Sequence, residues 1–126
     1  MIMITGGAFQ GKTEFAKTRF SLKDEDIIDC GSCDLDAVPE SRCVRNYELA
    51  VKRVMARGED PLAFTDRLKC DIILMNEIGS GIIPLEKSER EWREMTGRAG
   101  CIIASRAGTV YRVCCGIAKI IKGEEI

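Results

Sequence analysis

Gly6-Gly7-Ala8-Phe9-Gln10-Gly11-Lys12-Thr13 fits the pattern G-x-x-x-x-G-K-[ST], and its reading decides the fold. Glycines let a backbone curl until successive N–H groups face one point, where they cradle phosphate oxygens. A helix that follows turns its positive end toward the same anion. Lys12 is placed to reach the β- and γ-phosphates as a compact cation, and the Thr13 hydroxyl to ligate Mg²⁺. The motif carries weight between a strand and a helix. Both flanks comply: Met1-Ile-Met-Ile4 is a short apolar run ending in glycines, and Lys12 to Phe20 contains neither Gly nor Pro. The expected nucleotide contacts are Gly6, Gly7, Ala8, Phe9, Gln10, Gly11, Lys12 and Thr13.

Outward from this loop the chain alternates strand and helix patterns. Asp26-Ile-Ile-Asp29 reads as a second strand bounded by charge and Gly31, and residues 31–41, with Gly, Ser, Asp and Pro39, as a connecting loop. Asn46 to Arg57 places Leu49, Ala50, Val51, Val54 and Met55 between charges, the pattern of an amphipathic helix ended by Gly58. Glu59-Asp60-Pro61 reads as a turn. Asp71-Ile-Ile-Leu-Met75 is the clearest buried strand, followed by Asn76-Glu77, a Gly79-Ser80-Gly81 loop and Pro84, which bars a regular helix. Ser88 to Met95 is helical. Cys101-Ile-Ile-Ala104 fits either a strand or the continuation of a helix to Ala107. Val110 to Cys115 and Ala118 to Ile121 read as strands around a turn at Gly116. Such alternation predicts an α/β fold, P-loop NTPase-like (RecA-like), with a mostly parallel sheet flanked by helices.

The length of 126 residues suits one domain spanning 1–126. With 19 basic and 20 acidic residues the net charge is −1, so the chain lacks the basic surplus of a nucleic-acid binder. No apolar run approaches the roughly 20 residues of a membrane span. The N-terminus lacks the basic and long apolar regions of a signal peptide, which makes the cytoplasm the expected location.

A magnesium nucleotide calls for a carboxylate at a neighbouring strand end. Asp29 and Glu77 are the candidates, each against the alternative of a solvated strand end. The 7 cysteines, an odd number, argue against a disulfide framework. Cys30-x-x-Cys33 invites a zinc or redox reading, but there is no histidine and no second C-x-x-C. The preferred reading of most cysteines is as small buried hydrophobes.

Asn76-Glu-Ile-Gly-Ser-Gly-Ile-Ile-Pro84 resembles the N-E-[VI]-G-x-G-[IV]-[IV]-P stretch of one family. That family is the bifunctional adenosylcobinamide kinase and adenosylcobinamide-phosphate guanylyltransferase of cobalamin biosynthesis. The likeness runs on through Arg90, Trp92-Arg93, Gly97-Arg98 and Val110-Tyr111 to Gly116 and Lys122. It also takes in the P-loop and Ile27-Ile-Asp-Cys30. The resemblance implies a helix over 101–107 and nucleotide contacts at Gly6 to Thr13 and Asp29. It further implies ATP or GTP as phosphate donor, a corrinoid substrate and a homo-oligomer.

The family's guanylyltransferase step passes through a nucleotide held on a histidine. This chain has none, and the segment that would carry it is missing between Phe20 and Asp26. The expectation is therefore a kinase that lacks guanylyltransferase activity. In it Lys12 holds the triphosphate, Thr13 and Asp29 hold Mg²⁺, and Glu77 orients or deprotonates the acceptor hydroxyl. Arg93 or Arg98 neutralises the phosphoryl group, with a surface role as the alternative for both arginines. Trp92 reads as packing. The rival expectation is a nucleotide-binding relic or regulatory partner without chemistry.

Overall fold

The computed structural model describes residues 1–78 and 86–125. Its strands are β1 (Ile2–Gly6), β2 (Ile27–Asp29), β3 (Cys43–Arg45), β4 (Ile72–Asn76), β5 (Thr109–Cys114) and β6 (Ile117–Lys122). They form a 6-stranded sheet in the order β2-β3-β4-β1-β5-β6. Neighbours from β2 to β5 pair in parallel, and β6 runs antiparallel along β5. The fold is thus α/β and P-loop NTPase-like, as the alternation implies.

Burial explains the strand compositions. Ile72 to Met75 is buried throughout, because parallel strands are covered on both faces and need apolar residues at successive positions. The alternate exposure of Ile117 and Ile121 marks β6 as the sheet's outer edge. Helix α1 (Lys12–Phe20) covers one face, where Ala16, Phe15 and Phe20 pack with Ile4, Leu74, Tyr111 and Val113. Helices α2 (Tyr47–Ala56), α3 (Pro61–Asp66) and α4 (Lys87–Arg106) cover the other, joined by Met3, Val44, Ile73 and Val110.

Several elements differ from the sequence reading. The expected loop 31–41 contains a 3-10 segment, Leu35–Glu40, that buries Leu35 and Val38. Strand β3 and helix α3 were not expected. Asp60 caps α3 by accepting from the Leu62 N–H at 2.9 Å, and Pro61 occupies its first turn, where the missing N–H costs nothing. The segment 101–104 is helical, inside the 20-residue α4. Gly79-Ser80-Gly81 and Pro84 lie outside the described residues.

The consequence for the site is positional. Strand β1 ends between β4 and β5 and delivers Gly6 to the carboxyl edge of the sheet, where α/β proteins bind ligands.

Candidate functional site

Two glycines make the turn from β1 into α1. Gly6 has φ +146, and a Cβ there would stand 2.3 Å from the Val113 carbonyl oxygen. Gly11, at φ +91, approaches Gly116 so closely that a Cβ would lie 3.2 Å from its Cα. Ala8, Phe9, Gln10, Gly11, Lys12 and Thr13 then line one crevice of about 500 Å³, with Glu14, Arg45, Asn46, Leu74 and Asn76 as its remaining wall. Gly6 and Gly7, expected as contacts, are not among the crevice-lining residues; the Gly7 carbonyl instead accepts from Lys12.

Lys12 is buried, and its Nζ donates to the Gly7 carbonyl at 2.6 Å. Burial lowers its pKa, while the negative charges of Glu48 and Glu77 oppose that shift.

Below the crevice lies a feature that sequence reading missed. Glu48, on the first turn of α2, is only 3% exposed. Its carboxylate accepts from the Asn76 backbone N–H at 2.9 Å and from Asn76 Nδ2 at 3.0 Å. Burial is the dominant influence and raises its pKa; the Asn76 bonds and the charge of Lys12 work against it. Asn76 Nδ2 also makes a long 3.5 Å contact with Asn46 Oδ1, and Asn46 Nδ2 donates to Asp29 Oδ1 at 3.0 Å. A polar relay therefore crosses the ends of β4, β3 and β2. Asn46 occupies a left-handed conformation, φ 58, which asparagine tolerates better than most residues. Trp92 packs against the larger core and supports the relay by donating from Nε1 to the Glu48 carbonyl at 2.8 Å.

The predicted carboxylates stand elsewhere than expected. Asp29 accepts from the Gly31 N–H at 2.9 Å and pairs with Arg45 at 3.5 Å, so it sits behind Arg45 and Asn46 rather than in the crevice wall. Burial acts to raise its pKa, but the bonds from Asn46 and Gly31 and the Arg45 charge outweigh it and hold the carboxyl below the usual range. Glu77 does touch the phosphate loop, its N–H donating to the Gly6 carbonyl at 2.8 Å. Its two carboxylate oxygens, however, accept from Arg112 Nε at 2.8 Å and Nη2 at 3.0 Å. The planar guanidinium matches a carboxylate in this two-point geometry, so both Glu77 carboxylate oxygens are engaged by Arg112 and not by the crevice. Arg93 and Arg98 line a separate groove between α3 and α4 with Leu62, Cys101 and Ile102, away from the crevice-lining residues. The arginine in the crevice wall is instead Arg45, while Arg112 is the register partner of Thr5 on β1.

The thiols divide into two sets. Cys30, Cys43 and Cys70 are buried. Burial pushes the Cys30 and Cys70 thiols up, and Cys43 up to about 12, which keeps them as unreactive core atoms. Cys33 is half-buried, while Cys101, Cys114 and Cys115 are exposed. Among the described residues, no group of three or more His, Cys, Asp or Glu side chains is placed to hold a metal ion. No described helix is long and apolar enough to cross a membrane.

The family model for cobinamide kinase / cobinamide phosphate guanyltransferase (CobU) matches residues 28–121. This chain belongs to the CobU family. The match starts beyond the phosphate loop, so the assignment of Gly6 to Thr13 stands on the motif and its strand-to-helix setting. Within the CobU match fall Asp29, Asn46, Glu48, Asn76, Glu77 and Arg112. A relative in Escherichia coli (strain K12), described as a bifunctional adenosylcobalamin biosynthesis protein, is 30% identical over 78 residues, 61% of this chain and 43% of its own length. The chain thus spans less than half of that CobU relative.

Proposed function

We propose that the chain binds ATP or GTP with Mg²⁺ in the Gly6–Thr13 crevice and transfers the terminal phosphoryl group to a hydroxyl of a corrinoid, adenosylcobinamide. One observation supports this reading: in a member of the CobU family, Ala8 to Thr13, buried Lys12 among them, line one crevice beyond the carboxyl end of β1. On binding, Lys12 exchanges the Gly7 carbonyl for phosphate oxygens. The donors near Thr13 are the Glu14 carboxylate and the Asn46 and Asn76 amides, an oxygen set suited to a hard cation. Thr13 would hold Mg²⁺ directly, and Asp29 would act one residue removed, through Asn46. When bound, the ion neutralises charge on the phosphate oxygens.

Phosphoryl transfer draws mainly on positioning and charge, with little covalent work for the protein. In that light the Glu77–Arg112 pair acts as a unit that fixes a cation beside the P-loop strand, and Glu77 is not assigned as the base. Lack of histidine removes the nucleophile of the guanylyltransferase step, so that activity is not assigned by that route. The near balance of charge supports a small-molecule rather than a nucleic-acid partner. A single domain acting as a cytoplasmic homo-oligomer completes the proposal.

A second reading, nucleotide binding without transfer, is favoured by the placement of Asp29 and Glu77 in ion pairs outside the crevice wall. Incubation of γ-labelled ATP or GTP with adenosylcobinamide, with and without protein, decides between them. Labelled corrinoid phosphate supports the kinase. Tight Mg²⁺-triphosphate binding without transfer supports the second reading, and absence of binding overturns both.

A further inference from the structure

Adjacent Cys114 and Cys115 end β5 and open the turn into β6. Both are exposed, and their sulfurs lie 4.0 Å apart. Cys115 has φ 51, a left-handed conformation that few residues other than Gly, Asn and Asp adopt readily. This turn is also the buttress of the phosphate loop. The Cys115 N–H donates to Gln10 Oε1 at 2.6 Å, and the Gly116 N–H donates to the Gln10 carbonyl at 2.8 Å. Gly11 packs on Gly116. A strained, thiol-bearing turn is therefore bonded directly to the residue that precedes Gly11-Lys12.

We propose that Cys114 and Cys115 form a redox modification site that takes low-molecular-weight disulfides and that loosens the phosphate loop when oxidised. One cysteine thiolate attacks the disulfide RSSR, forming a protein mixed disulfide and releasing RS⁻. The second thiol, deprotonated, attacks the protein sulfur of that mixed disulfide and expels the other RS⁻. The protein loses two electrons and two protons, and the small disulfide becomes two thiols.

The peptide bond between the two cysteines lies inside the resulting ring. Its trans Cα separation of about 3.8 Å is shorter than the roughly 4.4–6.8 Å that disulfides usually span, so ring closure strains and distorts that peptide. The N–H carried by that same peptide is the one bonded to Gln10 Oε1. Closure of the ring therefore acts on the loop contact by geometry, without any long path between sites. The buried Cys30, Cys43 and Cys70 are outside this chemistry.

The test treats the full chain with oxidised glutathione and measures two things. Mass analysis of the peptide containing Cys114 and Cys115 should show loss of two hydrogens without a glutathione adduct. Amide hydrogen exchange over residues 7–13 should be faster in the oxidised protein and return on reduction. The Cys114→Ser variant should show neither change. In Gln10→Ala, exchange of the loop should already be fast and oxidation should add nothing. The nucleotide consequence rests on the proposed function: affinity for Mg²⁺–ATP should fall about fivefold or more, the lower end of usual coupling between sites. Hydrogen exchange decides the switch even if no nucleotide binds. Stable glutathione adducts in place of the ring, or a ring that leaves loop exchange unchanged, would overturn it.

Discussion

The two flanks of the P-loop strand are built on different principles. On the β4 side, Asn76, Glu48, Asn46 and Asp29 form a relay beneath the crevice floor, with Glu48 buried and every carboxylate hydrogen-bonded. On the β5 side, Arg112 pairs with Glu77 and Gln10 meets Cys115, in contacts open to water. Buried polar groups are costly to leave unpaired, whereas exposed ion pairs contribute little to stability. The β4 flank should therefore carry more of the folding stability, while the β5 flank, although it braces the loop, can be altered at small cost to stability.

The largest effect is expected at Lys12, where both flanks meet. Lys12→Met should weaken triphosphate binding by roughly ten- to a hundredfold, the worth of a charge-assisted hydrogen bond of about 1.5–3 kcal/mol. Calorimetric titration measures it, and thermal unfolding of the variant should remain cooperative. The folded pKa of Lys12 lies below its ordinary value, so the unfolded chain binds more protons in that alkaline window. Wild-type stability should accordingly gain from this group as pH rises through the folded value toward the ordinary one, and Lys12→Met should lack that gain.

Next comes the buried flank itself. Glu48→Ala strips the Asn76 N–H of its acceptor and should cost about 1–3 kcal/mol in chemical unfolding. Glu48 keeps its proton longer in the folded state than in the unfolded one. Its contribution is thus fully present below the ordinary glutamate range and lost as pH rises through its folded value. Asp29 has the opposite sign: its contribution is present above the ordinary aspartate range and lost as pH falls through the lowered folded value. Unfolding curves of Glu48→Gln and Asp29→Asn across acid pH should each remove one of these opposed slopes. Parallel curves for wild type and both variants would show that the relay is not electrostatically coupled to folding.

A smaller effect is expected on the exposed flank. Glu77→Gln should cost less than about 1 kcal/mol, as a surface pair does. Should transfer be observed, its rate should fall by less than the roughly 10²- to 10⁴-fold that loss of a general base produces. A loss within that range would restore Glu77 as the base. The smallest effect belongs to Arg93→Ala and Arg98→Ala, which lie outside the crevice wall. Their triphosphate affinity should stay within about twofold of wild type, equivalent to surface changes of about 0.5 kcal/mol.

The legible parts of this molecule are those with local rules. The motif marked the turn between β1 and α1, and absence of Gly and Pro marked Lys12–Phe20, which is the span observed. The apolar run within Asp71–Met75 announced a buried strand, which is observed at Ile72–Asn76. Strand β3 escaped notice because three residues are too few for a period, and its Cys43 and Val44 are buried against different cores. Helix α3 was hidden by reading Asp60-Pro61 as a turn, although an aspartate cap with Pro in the first turn is equally a helix start.

The site was half legible for the same reason. Gly6 to Thr13 share one motif, but the relay unites ends of separate strands, and only tertiary packing shows that Glu48 faces inward. A glutamate among the charges of an amphipathic helix reads as solvated. The clue available was its place in the first turn, directly beyond Asn46 and beside Tyr47, Ala50 and Val51. Asp29 and Glu77 were recognised as strand-end carboxylates, whereas the arginines that engage them, Arg45 and Arg112, lie on other strands.

The central claim is that a magnesium triphosphate sits on Gly6 to Thr13 against the buried flank. Amide hydrogen exchange with and without saturating Mg²⁺–ATP or Mg²⁺–GTP tests it most directly. Slowed exchange over residues 7–13 and at 45–48 and 76, with residues 93–102 unchanged, is the predicted result. Protection confined to 93–102, or no protection at either nucleotide, would contradict it.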